Sequence, residues 1–217
     1  MEVHAYTDSD WATCPKTRRS FTGVCLRLAG GTIAYKTKFQ PTFALSSTEA
    51  EFMAAGDAGK MILYVRSVLY DLQIPQDAAS VAYEDNDGAT AMANAGKPTT
   101  RTRHMDIRYF LLCEWVERDL IILKRVSTHQ NMADHFTKGL SQILFYRHVD
   151  YIMGRVTPPH SPLFKPGYSP TLPANSIVTP ALLPHTPATA AAKLLGQAAS
   201  HTTAWATYIF KTEHWLP

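Results

Sequence analysis

The chain has 217 residues, 46% of them hydrophobic and 18% charged, which suffices for one packed domain with an appendage. No apolar run approaches the roughly 20 residues that a membrane-spanning helix needs, and the amino terminus does not resemble a signal peptide. The three cysteines show no CxxC spacing, which argues against a disulfide framework or a zinc site. We therefore expect an intracellular protein of the cytoplasm or nucleus, without contact to a membrane.

The net charge of +3 is distributed unevenly along the chain. Residues 1–154 hold 17 Lys and Arg against 17 Asp and Glu, whereas residues 155–217 hold four basic residues and one acidic residue. Because the first region is neutral overall, bulk charge does not predict a nucleic-acid partner. Only local basic clusters can support one.

The first region alternates strand-like and helix-like segments. Hydrophobic patterns predict strands at 3–7, 21–28, 32–36, 80–84 and 121–126, and helices at about 49–72, 88–94, 104–118 and 132–138. Gly30-Gly31 predicts a two-residue hairpin turn between the second and third strands. A hairpin followed by strand–helix–strand units indicates an α/β fold with a mixed sheet.

The chain changes character near residue 150. The second region contains ten of the fourteen prolines and repeats Thr, Ala and Pro. Prolines at this density interrupt both helices and sheets, so the sequence predicts a largely disordered tail. We place a domain at residues 1–142 and a linker with a Pro/Ala/Thr-rich tail at residues 143–217.

Four acidic side chains occupy positions where they could converge. Asp8 and Asp85 directly follow predicted strands, and the ends of neighbouring strands are where ligands bind in open α/β sheets. Glu51 and Asp134 lie on predicted helices. One pair of carboxylates about 4 Å apart costs roughly 4 kcal/mol at an effective dielectric near 20. A converging cluster therefore implies a divalent cation, and oxygen ligands favour magnesium or manganese.

A second interpretation of these acids stays open at this point. Acids after strands are common turn residues. Residues 46–49 and 48–51 both match a helix capping box, which gives Glu49 and Glu51 a structural role. Periodicity alone does not decide whether the four acids meet.

Seven short motifs follow one another between residues 6 and 140. They are YTDSDWA from residue 6, TRRSFTG from 17, KFQP from 38, LSSTEAEF from 45, DN from 85, RTRHMDIRY from 101 and ADHFTK from 133. In this order they resemble the ribonuclease H domain of copia-type LTR retrotransposon Pol polyproteins, within their reverse transcriptase/ribonuclease H region.

The resemblance implies a ribonuclease H-like fold, with a five-stranded mixed sheet flanked by helices, and an enzyme that cuts RNA in RNA–DNA hybrids. It assigns Asp8, Glu51, Asp85 and Asp134 as catalytic ligands of two magnesium ions, with manganese as an alternative. One ion would activate a water molecule, and the other would stabilise the leaving 3′ oxygen. Glu51 is preferred to Glu49 because residues 51–54 resemble a segment of cellular relatives, and the two glutamates point about 200° apart on a helix.

Substrate binding and proton transfer are less constrained by the sequence. Arg18 with Arg19 and Arg101 with Arg103 form local basic clusters that would hold phosphates, although a solvated, charge-balanced surface explains them equally well. His129 precedes Asp134 by five residues, and its role in proton transfer is left open.

The expected partners are an RNA–DNA hybrid and a reverse transcriptase domain supplied in trans, and a monomer is expected. The 217 residues contain no protease, integrase or polymerase region. The alternative to an active nuclease is therefore a catalytically inactive nucleic-acid-binding remnant of a degenerate retroelement.

Overall fold

Residues 2–95 and 107–160 are described in the computed structural model, with residues 107–109 described for their backbone alone. The strands are β1 His4–Asp10, β2 Phe21–Leu28, β3 Gly31–Phe39, β4 Ser80–Glu84 and β5 Ile121–Arg125. The helices are α1 Ser47–Asp71, α2 Asp87–Asn94, α3 Ile107–Glu117 and α4 Gln142–Ile152, and two short 3₁₀ helices are η1 Thr128–Gln130 and η2 Met132–Phe136. None of the helices in these ranges is long and apolar enough to cross a membrane.

The five strands form one mixed sheet in the order β3-β2-β1-β4-β5. The first three strands are antiparallel neighbours, whereas β1, β4 and β5 run parallel to one another. The parallel neighbours β4 and β5 are joined by a crossover through α2 and α3, and α1 connects β3, at the edge of the sheet, to β4. The predicted α/β fold, with a five-stranded mixed sheet and flanking helices, is confirmed.

The turn between β2 and β3 lies one residue earlier than the sequence predicts. Leu28 pairs with Gly31, so the two turn residues are Ala29 and Gly30, with φ of 52° and 87°. Two-residue hairpin turns favour positive φ at both central positions because that twist matches the strands. Gly31 is the first residue of β3, and the hairpin leaves the less favourable left-handed conformation to Ala29.

The two faces of the sheet bury different side chains. The larger core lies between one face and α1 to α3, and includes Ala5 and Ala82. The smaller cluster lies on the opposite face and includes Tyr6 and Tyr83, together with Met132 of η2. Because side chains alternate along a strand, Asp8 shares the face of Tyr6, whereas Glu84 shares the face of Ala82 and is directed towards α1.

Residues 142–160 pack on the smaller cluster. Arg27 of β2 is almost fully buried, and its guanidinium donates to the backbone carbonyl oxygens of Tyr151 and Gly30. His148 of α4 is also buried, and its Nε2 lies 3.3 Å from the carbonyl oxygen of His129. These contacts attach α4 to the hairpin and to η1.

The chain beyond α4 returns to the centre of the sheet. His160 Nε2 lies 2.7 Å from the Tyr6 hydroxyl oxygen, and the Tyr83 hydroxyl donates to the His160 carbonyl oxygen at 2.7 Å. The sequence predicts a linker and tail from residue 143 onwards, whereas residues 143–160 pack against the sheet in the structure. Sequence did not indicate this because the buried partners of the segment lie in β1, β2 and β4. The division into domain and tail stays a prediction, and residues 161–217 lie outside the described residues.

Candidate active site

Two acidic residues meet at the edge of the sheet where β1 and β4 end. Tyr6 pairs with Tyr83 in the parallel ladder, so Asp8 near the end of β1 lies beside Asp85, which directly follows β4. Asn86 then caps α2, since its Oδ1 accepts from the backbone N–H of Ala89 at 3.0 Å. The Asp85-Asn86 pair thus ends a strand and begins a helix, which fixes the backbone that carries Asp85.

Buried hydrogen bonds bring η2 to the same edge. Asn131 is fully buried; its side-chain amide donates to the carbonyl oxygen of Thr7 at 2.8 Å, and its Oδ1 accepts from the N–H of Ala133 at 3.2 Å. These two bonds join the start of η2 to β1 beside Asp8. The Thr137 hydroxyl at the other end of η2 donates to Asp8 Oδ2.

Gly23 allows η2 to approach this closely. It pairs with Asp8 across the antiparallel ladder of β1 and β2. A Cβ atom at Gly23 would lie 2.6 Å from Thr137 Cγ2 and 2.8 Å from the carbonyl oxygen of Ala133. Any side chain at this position would therefore push the segment that carries Asp134 away from Asp8.

The start of α1 separates the roles of its two glutamates. The Ser46 hydroxyl accepts from the N–H of Glu49 at 3.1 Å, and the Glu49 carboxylate accepts from the N–H of Leu45 at 2.8 Å. Glu49 therefore stabilises the amino terminus of α1 through capping hydrogen bonds. Glu51, on the opposite side of the helix, is buried against the sheet.

Gln40 holds this end of α1 against the strands. Its side-chain Nε2 lies 2.8 Å from the carbonyl oxygen of Ala50, 3.1 Å from Thr22 Oγ1 and 3.3 Å from Ser9 Oγ. The amide is buried at the point where β1, β2 and α1 meet. It therefore fixes the backbone of the residue that precedes Glu51.

The acidic side chains form two overlapping groups. Carboxylate oxygens of Asp8, Asp85 and Asp134 lie within 4.8 Å of one another, and so do those of Glu51, Glu84 and Asp85. All four acids singled out from sequence are thus brought together, with Asp85 common to both groups. A fifth acid, Glu84, was missed by sequence reasoning. The available signal was an acid at the end of a predicted strand, on the same side as Ala82.

Burial makes most of this cluster retain protons in the absence of a cation. Burial and then the Glu84 and Asp8 carboxylates raise the pKa of Glu51 to about 11. Burial and then Asp8 raise the pKa of Asp134 to about 8, against the opposing effect of Lys138. Burial and then Asp85 raise the pKa of Glu84 well above its usual range. Like charges in a dry site disfavour ionisation.

One half of the cluster contains an internal cation. Lys138 Nζ lies 3.1 Å from Asp134 Oδ1 and 3.5 Å from Asp8 Oδ1. Burial by itself lowers the pKa of Lys138, but Asp8 and Asp134 more than offset this effect and raise it, so the ammonium stays charged. Its side chain is 37% exposed, which leaves it free to move towards solvent.

The donor set fits a hard divalent cation. Glu51 Oε2 and Glu84 Oε2 are buried and, within the described part of the chain, have no hydrogen-bond partner. Buried oxygens without a partner are costly, and a cation coordinated by carboxylates would remove that cost. The oxygen-only ligands match magnesium or manganese rather than zinc.

The raised pKa values predict that the metal-free protein becomes less stable as pH rises above 7. Asp134 and Glu51 keep protons in the folded state that the unfolded chain has already released, so the free energy of unfolding falls with rising pH. Above pH 7 His4 and His160 are neutral, because burial lowers the pKa of each to about 4. Melting temperatures between pH 7 and 8.5 in chelator should decline, and Glu51→Gln should reduce the slope. A melting temperature that rises over this window would contradict the protonated cluster.

The predicted substrate-binding arginines are only partly described. Arg18 and Arg19 lie in the loop that follows β1, at the same edge of the sheet as Asp8. Arg18 is exposed, and the Arg19 guanidinium lies 5.7 Å from the centre of the Phe39 ring. Arg101 and Arg103 lie outside the described residues.

Two further polar residues lie apart from the acids. His129 is exposed on η1 and belongs to neither acidic group. Asp87, an acid adjacent to the DN motif, forms an ion pair with Arg125 of β5. The structure therefore gives Asp87 a partner outside the cluster.

Comparison with known proteins identifies the relatives of the chain. No family model matches it. The retrovirus-related Pol polyprotein from transposon TNT 1-94 of Nicotiana tabacum is 35% identical over 136 residues, which is 63% of this chain and 10% of that protein. The homologues of this chain are copia-type retrotransposon Pol polyproteins.

Two further copia-type relatives come from Arabidopsis thaliana. The Pol polyproteins from transposons RE2 and RE1 are each 31% identical, over 67% and 73% of this chain and 10% and 11% of theirs. The chain thus spans about a tenth of the length of these relatives. The sequence resemblance to copia-type Pol proteins is confirmed.

Solved structures of ribonucleases H are also similar. A ribonuclease H1 isolated from compost by a metagenomic approach is 14% identical with a TM-score of 0.48, over 63% of this chain and 92% of that chain. An N-terminal ribonuclease H domain from Mycobacterium tuberculosis is 10% identical with a TM-score of 0.45, over 69% and 96%.

Proposed function

We propose that this chain is a retrotransposon-derived ribonuclease H that hydrolyses the RNA strand of RNA–DNA hybrids in a metal-dependent reaction. One observation carries the proposal. Asp8, Glu51 and Asp134 come from β1, α1 and η2, Asp85 directly follows β4, and their carboxylates converge at one edge of the sheet in two groups that share Asp85. The copia-type homologues support the same proposal.

The acidic residues would hold two magnesium ions, or manganese in their place. Asp8 and Asp134 would hold one ion and Glu51 the other, with Asp85 available to both because its carboxylate belongs to both groups. When bound, such ions make water a stronger nucleophile and stabilise negative charge on phosphate oxygens. Each of the four acids is therefore proposed as a catalytic residue.

The other residues of the site keep these acids in position. Asn131 and Thr137 hold η2 against β1, and Gln40 holds the first turn of α1. Glu51 and Asp134 must give up protons when a cation binds, because burial keeps them protonated near neutral pH without one.

Binding of the substrate would involve the loop after β1. Arg18 and Arg19 are proposed to contact phosphates of the hybrid, which would make binding sensitive to salt. The RNA strand is selected because it carries the 2′-hydroxyl groups that DNA lacks. The products would be a 5′-phosphate and a 3′-hydroxyl on RNA, with His129 as the candidate for proton transfer.

The chain is proposed to act as a monomer inside the cell, in the cytoplasm or nucleus. A reverse transcriptase domain supplied in trans is proposed to add affinity for the hybrid. Such a domain would raise the rate at low substrate concentration without changing the cutting chemistry.

A cleavage assay tests the proposal. The full chain is incubated with a hybrid labelled on the RNA strand, in magnesium or manganese, and Asp8→Asn is run beside it. We expect cleavage of RNA alone and at least about a 100-fold loss in the variant, since replacement of a metal ligand costs more than the 10- to 100-fold typical of its supporting shell. Glu117→Gln, on the exposed end of α3, is the matched control.

The contrary outcome is equally specific. A folded chain that binds the hybrid but leaves it intact in both metals, at low salt and high protein concentration, would overturn the nuclease proposal. It would leave the inactive nucleic-acid-binding remnant.

A further inference from the structure

The two halves of the acidic cluster differ in how their charge is balanced. Asp8 and Asp134 are contacted by the Lys138 ammonium at 3.5 and 3.1 Å. Among the described residues, no ion pair reaches Glu51, Glu84 or Asp85. Lys138 acts on Glu51 and Asp85 only at longer range, so within the described part of the chain these three carboxylates lie together without an ion-pair partner.

Glu84 is held rigidly in this second half. It is the last residue of β4, is fully buried, and is directed towards α1 by the alternation of the strand. Its Oε1 accepts from the backbone N–H groups of Asp85 at 3.0 Å and Asn86 at 3.1 Å. Its Oε2 is buried and has no hydrogen-bond partner in the described part of the chain.

A purely structural role does not account for Oε2. As a carboxylate oxygen it needs a donor, and as part of a protonated carboxyl group it needs an acceptor for its hydrogen. Neither partner is present among the described residues, whereas oxygens of Glu51 and Asp85 lie within 4.8 Å. Oxygens on opposite sides of one divalent cation lie about 4 to 5 Å apart, so a single ion fits this spacing with small movements.

We propose that Glu84 is a further ligand of the divalent cation held by Glu51 and Asp85, and that this half of the cluster binds its ion more tightly than the half occupied by Lys138. The inference rests on the proposed function, since it adds a ligand to the same site. Three carboxylates surround the ion with more negative charge than two carboxylates do, and they therefore bind it more tightly. The backbone bonds to Oε1 keep the other oxygen directed at the ion.

Manganese binding to the full chain, without nucleic acid, tests the inference. The number of sites and their affinities are measured by calorimetry and by the electron paramagnetic resonance of free Mn²⁺. Glu84→Gln removes the charge while its amide oxygen can still accept both backbone bonds. We expect the affinity of the tightest site to fall about tenfold or more, with the weaker site unchanged. Glu117→Gln should bind as the native chain does.

The possible results separate this inference from the proposed function. If Glu84→Gln binds Mn²⁺ as tightly as the native chain, Glu84 is no ligand, and the ribonuclease proposal stands if Asp8→Asn still weakens binding. If the native chain binds no Mn²⁺ at all, both proposals fail. If Glu84→Gln does not fold, Glu84→Asp is used in its place. This variant keeps the negative charge, but its side chain is one methylene shorter and so draws the carboxylate back from the ion. Unchanged affinity in that variant would likewise overturn the inference.

Discussion

Lys138→Met should raise the affinity of the protein for divalent cations and lower its melting temperature when no cation is present. The ammonium lies within 3.5 Å of Asp8 and Asp134 and occupies the position of a counter-ion between them. A divalent cation that binds there must either displace the Lys138 ammonium or bind beside it. Repulsion between a double and a single positive charge is on the order of 1–2 kcal/mol even at water-like screening, so affinity should rise about tenfold.

The loss of stability has the same origin. Without Lys138, Asp8 loses the ammonium that offsets its charge and keeps the hydrogen bond from Thr137, and Asp134 would be protonated to still higher pH. Because the Lys138 side chain is partly exposed, solvent screens this contact and the expected decrease in melting temperature is a few degrees.

Calorimetric Mn²⁺ titration and melting in chelator would measure both effects. Lys138→Arg keeps the charge and should behave like the native chain. Lys124→Met makes the same change on an exposed position of β5 and serves as the control. Weaker cation binding by Lys138→Met would show that the lysine orients the acids instead of competing with the ion.

A chain that ends at residue 141 should be much less stable than one that ends at residue 160. The shorter chain loses α4, and with it the Tyr151 carbonyl oxygen that accepts from Arg27. It also loses His160, which contacts the Tyr6 and Tyr83 hydroxyl groups. A buried guanidinium that loses a carbonyl partner and a newly exposed apolar cluster each cost on the order of 1–3 kcal/mol.

Melting followed by circular dichroism compares the two chains directly. At about 2–4 °C per kcal/mol for a chain of this size, we expect the melting temperature to fall by about 10 °C or more. The chain that ends at residue 160 retains every contact described for α4 and His160 and is therefore the reference. Equal melting temperatures would show that the domain ends near residue 142, as the sequence predicts.

Local patterns in the sequence account for the elements of the fold. The apolar spacing of α1 and the Ser46 cap lie within a few residues of one another, so they fix where that helix begins regardless of the rest of the chain. Strand alternation does the same for β4 and so places Asp85 just beyond its end. The motif order then identified which acids belong together, and all four are found in one cluster.

The choice between Glu49 and Glu51 as the residue of the site depends on both local sequence and tertiary packing. Sequence gives both glutamates a capping pattern and opposite directions on the helix. The burial of one side of α1 decides which glutamate faces the strands, and Gln40 fixes that side by its bond to the Ala50 carbonyl oxygen. The resemblance had already favoured Glu51.

By itself, the sequence determined the α/β class, the family resemblance and the four acids, because periodicity, caps and motifs are properties of neighbouring residues. Only the tertiary structure decided the place of Glu84, of Lys138 and of residues 142–160. Each depends on which distant segments meet: β4 with α1, η2 with β1, and α4 with Arg27. Burial and charge are sums over such contacts, so the protonation of the cluster and its affinity for a cation follow from packing rather than from any single motif.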